Sequence, residues 1–77
     1  MTPINIQDIV SFIQTRFLGG GALGPDDDLL LSGKIDSLGI VALIAFVEEL
    51  RGAPIPAEDV TIENFATVSA MDRYLNG

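Results

Sequence analysis

The sequence has no cysteine, no histidine and no tryptophan, and only four basic side chains among its 77 residues. Without cysteine there is neither a disulfide framework nor a zinc site built on thiolates. Without histidine the commonest general base and metal ligand is missing as well. Most nucleophilic-triad and metallohydrolase chemistry is thereby excluded. A serine hydrolase would have to rely on Lys34, the single lysine, which has no evident partner geometry. Eleven acids against four bases give a net charge of −7, which disfavours nucleic acid and anionic membrane surfaces and favours partners with basic docking patches. The plainer alternative is an acidic surface that only keeps the chain soluble. The N-terminus lacks the basic start and apolar core of a secretion signal, and the longest apolar run, 38–47, is too short to cross a bilayer. The expectation is a cytoplasmic, monomeric protein that neither binds nucleic acid nor inserts into membranes.

What is present suffices for one core. Hydrophobic residues make up 48% of the chain, well above the signature of disorder, and the length fits one small domain over residues 1–77. Thr2-Pro3 reads as a helix opening, with threonine as cap and proline where no donor is wasted. Ile6, Ile9, Val10, Ile13 and Phe17 follow at three- and four-residue steps and predict an amphipathic helix. Gly19-Gly20-Gly21 ends it.

Residues 18–36 show no sustained period, and a connection of that length in a compact domain is either functional or pinned down. Leu23, Leu29, Leu30, Leu31 and Ile35 are the expected pins. Gly19-x-Gly21-x-x-Gly24 matches a dinucleotide-binding pattern, but it follows a helix and precedes Pro25 and three aspartates that would repel a pyrophosphate. Gly33-Lys34 is no phosphate loop, because Ile35 stands where Ser or Thr is needed. Asp26, Asp27 and Asp28 lack the spaced ligands of a calcium loop and read as a solvated turn.

A second helix is predicted from Asp36 or Ser37 to about Arg51, with Asp36 as N-cap and Gly52 and Pro54 as terminators. Ile40, Leu43, Val47 and Leu50 share one face of it; Leu38, Val41, Ala42 and Ala45 share the other with Glu48 and Glu49. Adjacent glutamates are rarely buried, so the second face is expected in solvent, where its apolar stripe resembles a docking surface. The alternative is a helix buried nearly all round. Ile55-Pro56 reads as extended, 57–60 and 61–65 as short turns anchored by Val60, Ile62 and Phe65, and a last helix is expected from Thr67 with Val68, Met71, Tyr74 and Leu75 inward. No segment alternates as a strand.

Ser37 at a helix start reads most simply as a second cap. It is also a place where a phosphate is electrostatically welcome, because free amides and the helix dipole both favour an anion. The run Leu30-Leu31-Ser32-Gly33-Lys34-Ile35-Asp36-Ser37-Leu38-Gly39 resembles the attachment signature of the acyl and peptidyl carrier proteins. Glu48-Glu49-Leu50, Ile55-Pro56 and Asn64-Phe65-Ala66-Thr67-Val68 extend the likeness over essentially the whole chain.

The resemblance implies an all-α, small four-helix bundle, three main helices plus one short one, with a long loop between the first two. It implies that Ser37 carries 4'-phosphopantetheine, added from coenzyme A by a separate phosphopantetheinyl transferase. Asp36 would cap the helix and bind magnesium during that transfer, and Leu38, Val41, Ala42, Ala45, Glu48 and Glu49 would face partner enzymes. The chain itself would not be an enzyme. It would hold acyl or aminoacyl groups as thioesters for a loading ligase and downstream synthases or transferases, in fatty-acid, polyketide or other specialised biosynthesis. Gly39 and Ala42 stand where fatty-acid carriers are often acidic, so the likeness runs closer to stand-alone carriers of specialised pathways, including aminoacyl and D-alanyl carriers. The reading from a different class is a helical interaction module in which Ser37 is only a cap.

Overall fold

The structure, a computed structural model, describes residues 4–77, and among them it is wholly helical. Helix α1 spans Ile6–Phe17, α2 Ser37–Arg51, α3 Ile62–Phe65 and α4 Val68–Asn76, with a single 3₁₀ turn at Ala57–Asp59 before α3. The four-helix all-α expectation holds. Helix α1 packs on α2 and α4, and the short α3 packs on α4.

Each helix starts where a side chain can satisfy a free amide. Asn5 accepts from Gln7 N, Asp36 from Gly39 N, Thr61 from Asn64 N and Thr67 from Ala70 N. The expected Thr2-Pro3 opening lies outside the described residues. Two helices stop on left-handed glycine. Gly19 and Gly20 have φ of 58° and 86°, which lets Gly20 N reach back to the Gln14 carbonyl at 2.8 Å, and Gly52 with φ 73° returns to the Glu48 carbonyl at 2.8 Å. At the ends of the described chain, the Asn76 side chain accepts from Ile4 N at 2.8 Å and donates to Ile4 O at 2.9 Å, tying the start of α1 to the end of α4.

The core takes Ile9 and Ile13 from α1, Leu43 and Val47 from α2, Phe65 from α3, and Val68 and Met71 from α4. The long loop contributes two buried side chains, Leu29 and Ile35, and half-buries Leu23 and Leu30. At roughly 1.5–3 kcal/mol for each large apolar side chain buried, Leu29 and Ile35 give a segment without secondary structure as much anchorage as a helix face would. Backbone bonds add to it: Leu29 N donates to Ala66 O at 2.7 Å, Ile35 N to Leu29 O at 2.9 Å and Ser69 N to Pro25 O at 2.9 Å.

Four expected anchors are not in the core. Leu31 is 77% exposed and Ile62 57%, while Val60 and Leu50 are exposed to a lesser degree. Leu31 follows Leu30, which is half-buried and lines the groove described below, and Ile62 opens the four-residue α3, whose buried side chain is Phe65. Phe12, outside the predicted apolar stripe of α1, instead stacks on Phe46 of α2 with centroids 4.1 Å apart and planes 10° from parallel.

Gly39 is buried inside the first turn of α2, and a Cβ there would lie 2.8 Å from Ile35 Cγ2 and 2.9 Å from Phe17 Cε1. Helix propensity alone favours alanine over glycine by about 1 kcal/mol, but the Ile35 methyl is itself buried and has little room to give. Steric crowding is expected to win: Gly39→Ala should destabilise the protein by about 1–2 kcal/mol in urea denaturation, where propensity alone would stabilise it.

Tyr74, the single tyrosine, donates its hydroxyl to Asp59 Oδ2 at 2.6 Å and receives Arg51 Nη1 at 3.4 Å. Burial of the phenol, and then its hydrogen bond to the Asp59 carboxylate, raise its pKa above the ordinary 10.0. The fold therefore favours the protonated phenol. That stabilisation is complete below the unfolded value and is lost as pH rises through the higher folded value. Denaturant unfolding of the wild type should show a stability loss beginning above pH 10.0, and Tyr74→Phe should be less stable at neutral pH, by about 0.5–1.5 kcal/mol, yet lack that alkaline decline.

Candidate functional site

The site is the start of α2 and the surfaces that converge on it. Asp36, in extended conformation, accepts from Gly39 N through Oδ1 at 2.7 Å, and its carbonyl accepts from Ile40 N at 2.9 Å. Asp36 is therefore the cap, and Ser37 is the first helical residue. The reading of Ser37 as a second cap does not hold: its side chain is exposed and its hydroxyl makes no hydrogen bond among the described residues. The other Asp36 oxygen, Oδ2, makes no hydrogen bond among those residues.

The approach to Ser37 is held by short-range bonds that composition did not disclose. Asp28, expected as part of a solvated turn, accepts from Leu30 N at 3.0 Å and from Leu31 N at 2.7 Å through one oxygen, and Ser32 donates its hydroxyl to the Asp28 carbonyl. Asp27 accepts from Gly24 N at 2.8 Å, and Lys34 Nζ lies 4.0 Å from its carboxylate. An aspartate two or three residues before unpaired amides is the usual chemistry of such turns, so the triplet carried a signal for this role.

A groove of about 440 Å³ opens beside Ser37. It is lined by Leu30, Gly33 and Ile35 of the loop, by Asp36, Ser37 and Ile40 at the start of α2, and by Val60, Thr61, Ile62 and Phe65. Its lining is mainly apolar and includes no cationic side chain.

The α2 face runs down from this mouth. Leu38 is 82% and Val41 66% exposed; Ala45 and Glu49 are also exposed, and Ala42 is half-buried. Glu48 is half-buried, and its Oε2 accepts from Ile55 N at 2.7 Å, fastening the chain after α2 to that helix. Its charge is partly committed within the fold. A second groove between α1 and α2, of about 530 Å³, is lined by Phe12, Phe46 and Leu50 with Asp8 and Arg16 at its edge. The sequence reading assigned no role to the two phenylalanines, and their separation of 34 residues left no local signal of the pairing. Among the described residues no helix is long and apolar enough to cross a membrane, and no group of three or more acids gathers as a metal site.

No protein-family model matches this chain, and no curated protein does. Solved structures do. The chain is similar to a chain in a crystal structure of an FAD-dependent dehydrogenase, with 32% identity, a TM-score of 0.76, and coverage of 86% of this chain and 96% of that one. It is also similar to a chain in the crystal structure of Bradyrhizobium japonicum glycine:[carrier protein] ligase complexed with glycylated carrier protein, with 25% identity, a TM-score of 0.70, and coverage of 88% and 89%. Coverage is high in both directions, so each matched chain is close to this one in length; in the second structure that length corresponds to the carrier protein and not to the ligase. The chain is carrier-protein-like in fold and sequence.

Loss of the cap should be felt locally. Asp36→Ala is expected to cost about 0.5–2 kcal/mol of stability, while Asp36→Asn, which keeps an acceptor, should recover most of it in the same thermal denaturation assay.

Proposed function

We propose that this chain is a non-catalytic carrier whose Ser37 hydroxyl takes a 4'-phosphopantetheine arm. The observation that carries the reading is an exposed serine hydroxyl, free of hydrogen bonds among the described residues, on the first residue of a 15-residue helix already capped by Asp36. A cap must turn its oxygen onto its own helix; this one leaves its oxygen outward.

The residues present fit such a group. A phosphodiester on the Ser37 oxygen would lie at the positive end of the α2 dipole, next to first-turn amides. The groove beside it offers mainly apolar walls to a flexible chain, with the Asp36 carboxylate among the residues that line it. When attached, the arm supplies the thiol that this cysteine-free sequence lacks. The protein's own residues then fix where the arm is rooted, present Leu38 and Val41 to visiting enzymes, and keep the root rigid through Asp36 and Gly39. No histidine or cysteine is present to act on the cargo, so bond-making falls to those enzymes.

The likeness to a glycylated carrier protein in complex with its ligase supports an aminoacyl or other short acyl cargo loaded by a dedicated ligase. It favours that branch over fatty-acid elongation. The interaction-module reading retains the exposed Leu38 and Val41 face but leaves the free Ser37 hydroxyl without a purpose.

Incubation of the apo protein with coenzyme A and a broad-specificity phosphopantetheinyl transferase should add one phosphopantetheine mass to the intact protein. Ser37→Ala should add none while unfolding at the same temperature as the wild type. A wild-type protein that stays unmodified while a control carrier is loaded would sink the proposal.

A further inference from the structure

Helix α1 buries Ile9 and Ile13 in the core, and Phe12 lies beside that stripe, half-buried. Its ring stacks on Phe46 of α2 at 4.1 Å and meets Phe17 edge-on at 6.0 Å, so it is held by two neighbours. The Phe12–Phe46 pair also lines the open groove of about 530 Å³ between α1 and α2, together with Leu50, which is 37% exposed. Ser11 and Thr15, on the same lining, are small and exposed. None of these residues lines the groove at Ser37.

The charges on this face are placed symmetrically. Asp8 and Arg16 are the two charged residues of α1; both are exposed, both line the groove, and neither joins an ion pair among the described residues. Phe12 is the midpoint between them. On a helix of 3.6 residues per turn, residues 8, 12 and 16 form a single i±4 ridge about 12 Å long. The acid stands at one end, the ring at the centre and the base at the other end.

We propose that this face pairs with a second copy of the chain across a twofold axis through Phe12. The ridge of one protomer then runs antiparallel to that of its partner, which sets the Asp8 side chain of each against the Arg16 side chain of the other and closes the contact with two ion pairs. Two such ridges interdigitate at an interaxial angle of about −50°, and the small Ser11 and Thr15 beside the ridge leave room for the opposing phenylalanine. Phe12, Phe46 and Leu50 supply the apolar area. Exposed ion pairs contribute little by themselves; here they fix the register.

Charge also separates this occupant from an enzyme. Helix α1 is balanced, with one acid and one base, while the chain as a whole carries −7. A basic enzyme surface would meet Arg16 with like charge, whereas a second copy is complementary at both ends of the ridge. The net charge opposes the approach of two copies, so the pair is weak and reversible. It departs from the monomer expected from the sequence, and it does not depend on the reading of Ser37.

Sedimentation equilibrium of the full chain tests the pairing. The wild type should show a monomer–dimer equilibrium with a Kd on the order of 0.1 mM. Asp8→Arg and Arg16→Asp each place like charges at both ends of the contact and should each weaken association at least about tenfold. An equimolar mixture of the two single variants should associate again, because only the mixed pair brings opposite charges together at both ends. Association on mixing also shows that both variants are folded, although each reverses a charge that suits its end of the α1 dipole. A wild type that stays monomeric at about 1 mM overturns the pairing and leaves the groove to a partner of another kind. A dimer that survives both single variants, that Leu38→Ser abolishes in their place, or that does not return on mixing overturns it as well, because the contact then lies on another face.

Discussion

Burial of Leu29 from a segment with no secondary structure is the constraint on which the rest of the molecule depends. Its side chain is fully buried, its amide donates to the carbonyl of Ala66 behind α3, and its carbonyl receives the amide of Ile35. A single residue thereby joins the loop to the α3–α4 half of the bundle and sets the distance back to the start of α2. Ile35, brought inward by that bond, presses its Cγ2 toward Gly39, where only hydrogen fits. The position of α2 along its axis, and so the position of Ser37, follows from this chain of contacts and not from helix propensity.

Around that anchor the start of α2 divides its work by residue. Asp36 satisfies the helix, which leaves Ser37 nothing structural to do, and Leu38 continues directly into an exposed stripe. The capping of α2 and the availability of Ser37 are thus one arrangement: a serine at the cap position would have turned its hydroxyl inward onto the helix amides. Glu48 shows the opposite economy. It sits on the same side as the exposed stripe, but one of its oxygens holds Ile55 against α2. Of the two glutamates, Glu49 is the freer to meet a partner.

The acidity of the chain gains a location from the fold. Asp27 and Asp28 hold turns, Asp59 receives Tyr74, and Glu48 fastens a connection. A net charge of −7 would be read from composition as uniformly solvated, yet several of these carboxylates are hydrogen-bonded within the structure. Glu49, which makes no hydrogen bond among the described residues, shares the exposed face of α2 with Leu38 and Val41.

The helices were legible because their signals are local. Apolar side chains at three- and four-residue steps, Asp36, Thr61 and Thr67 as caps, and Gly19 and Gly52 as stops all act within one or two turns. Asp36 as the cap of α2 was legible for the same reason. What a hydrophobic residue packs against is not local. Leu30 and Leu31 are chemically identical neighbours, and only the turn closed by Asp28 sends one to the groove and the other to solvent. Phe12 and Phe46 meet because α1 packs on α2, and Val60 and Ile62 are exposed along the groove while Phe65, on the same short helix as Ile62, is buried. The sequence by itself determined the all-α class, the boundaries of α2 and the start of α4, while the start of α1 at Ile6, capped by Asn5, was not read from it. The tertiary structure alone decided that the Ser37 hydroxyl is unused, that a groove opens beside it, and which apolar side chains ring it, because each of these depends on contacts between residues far apart in the chain.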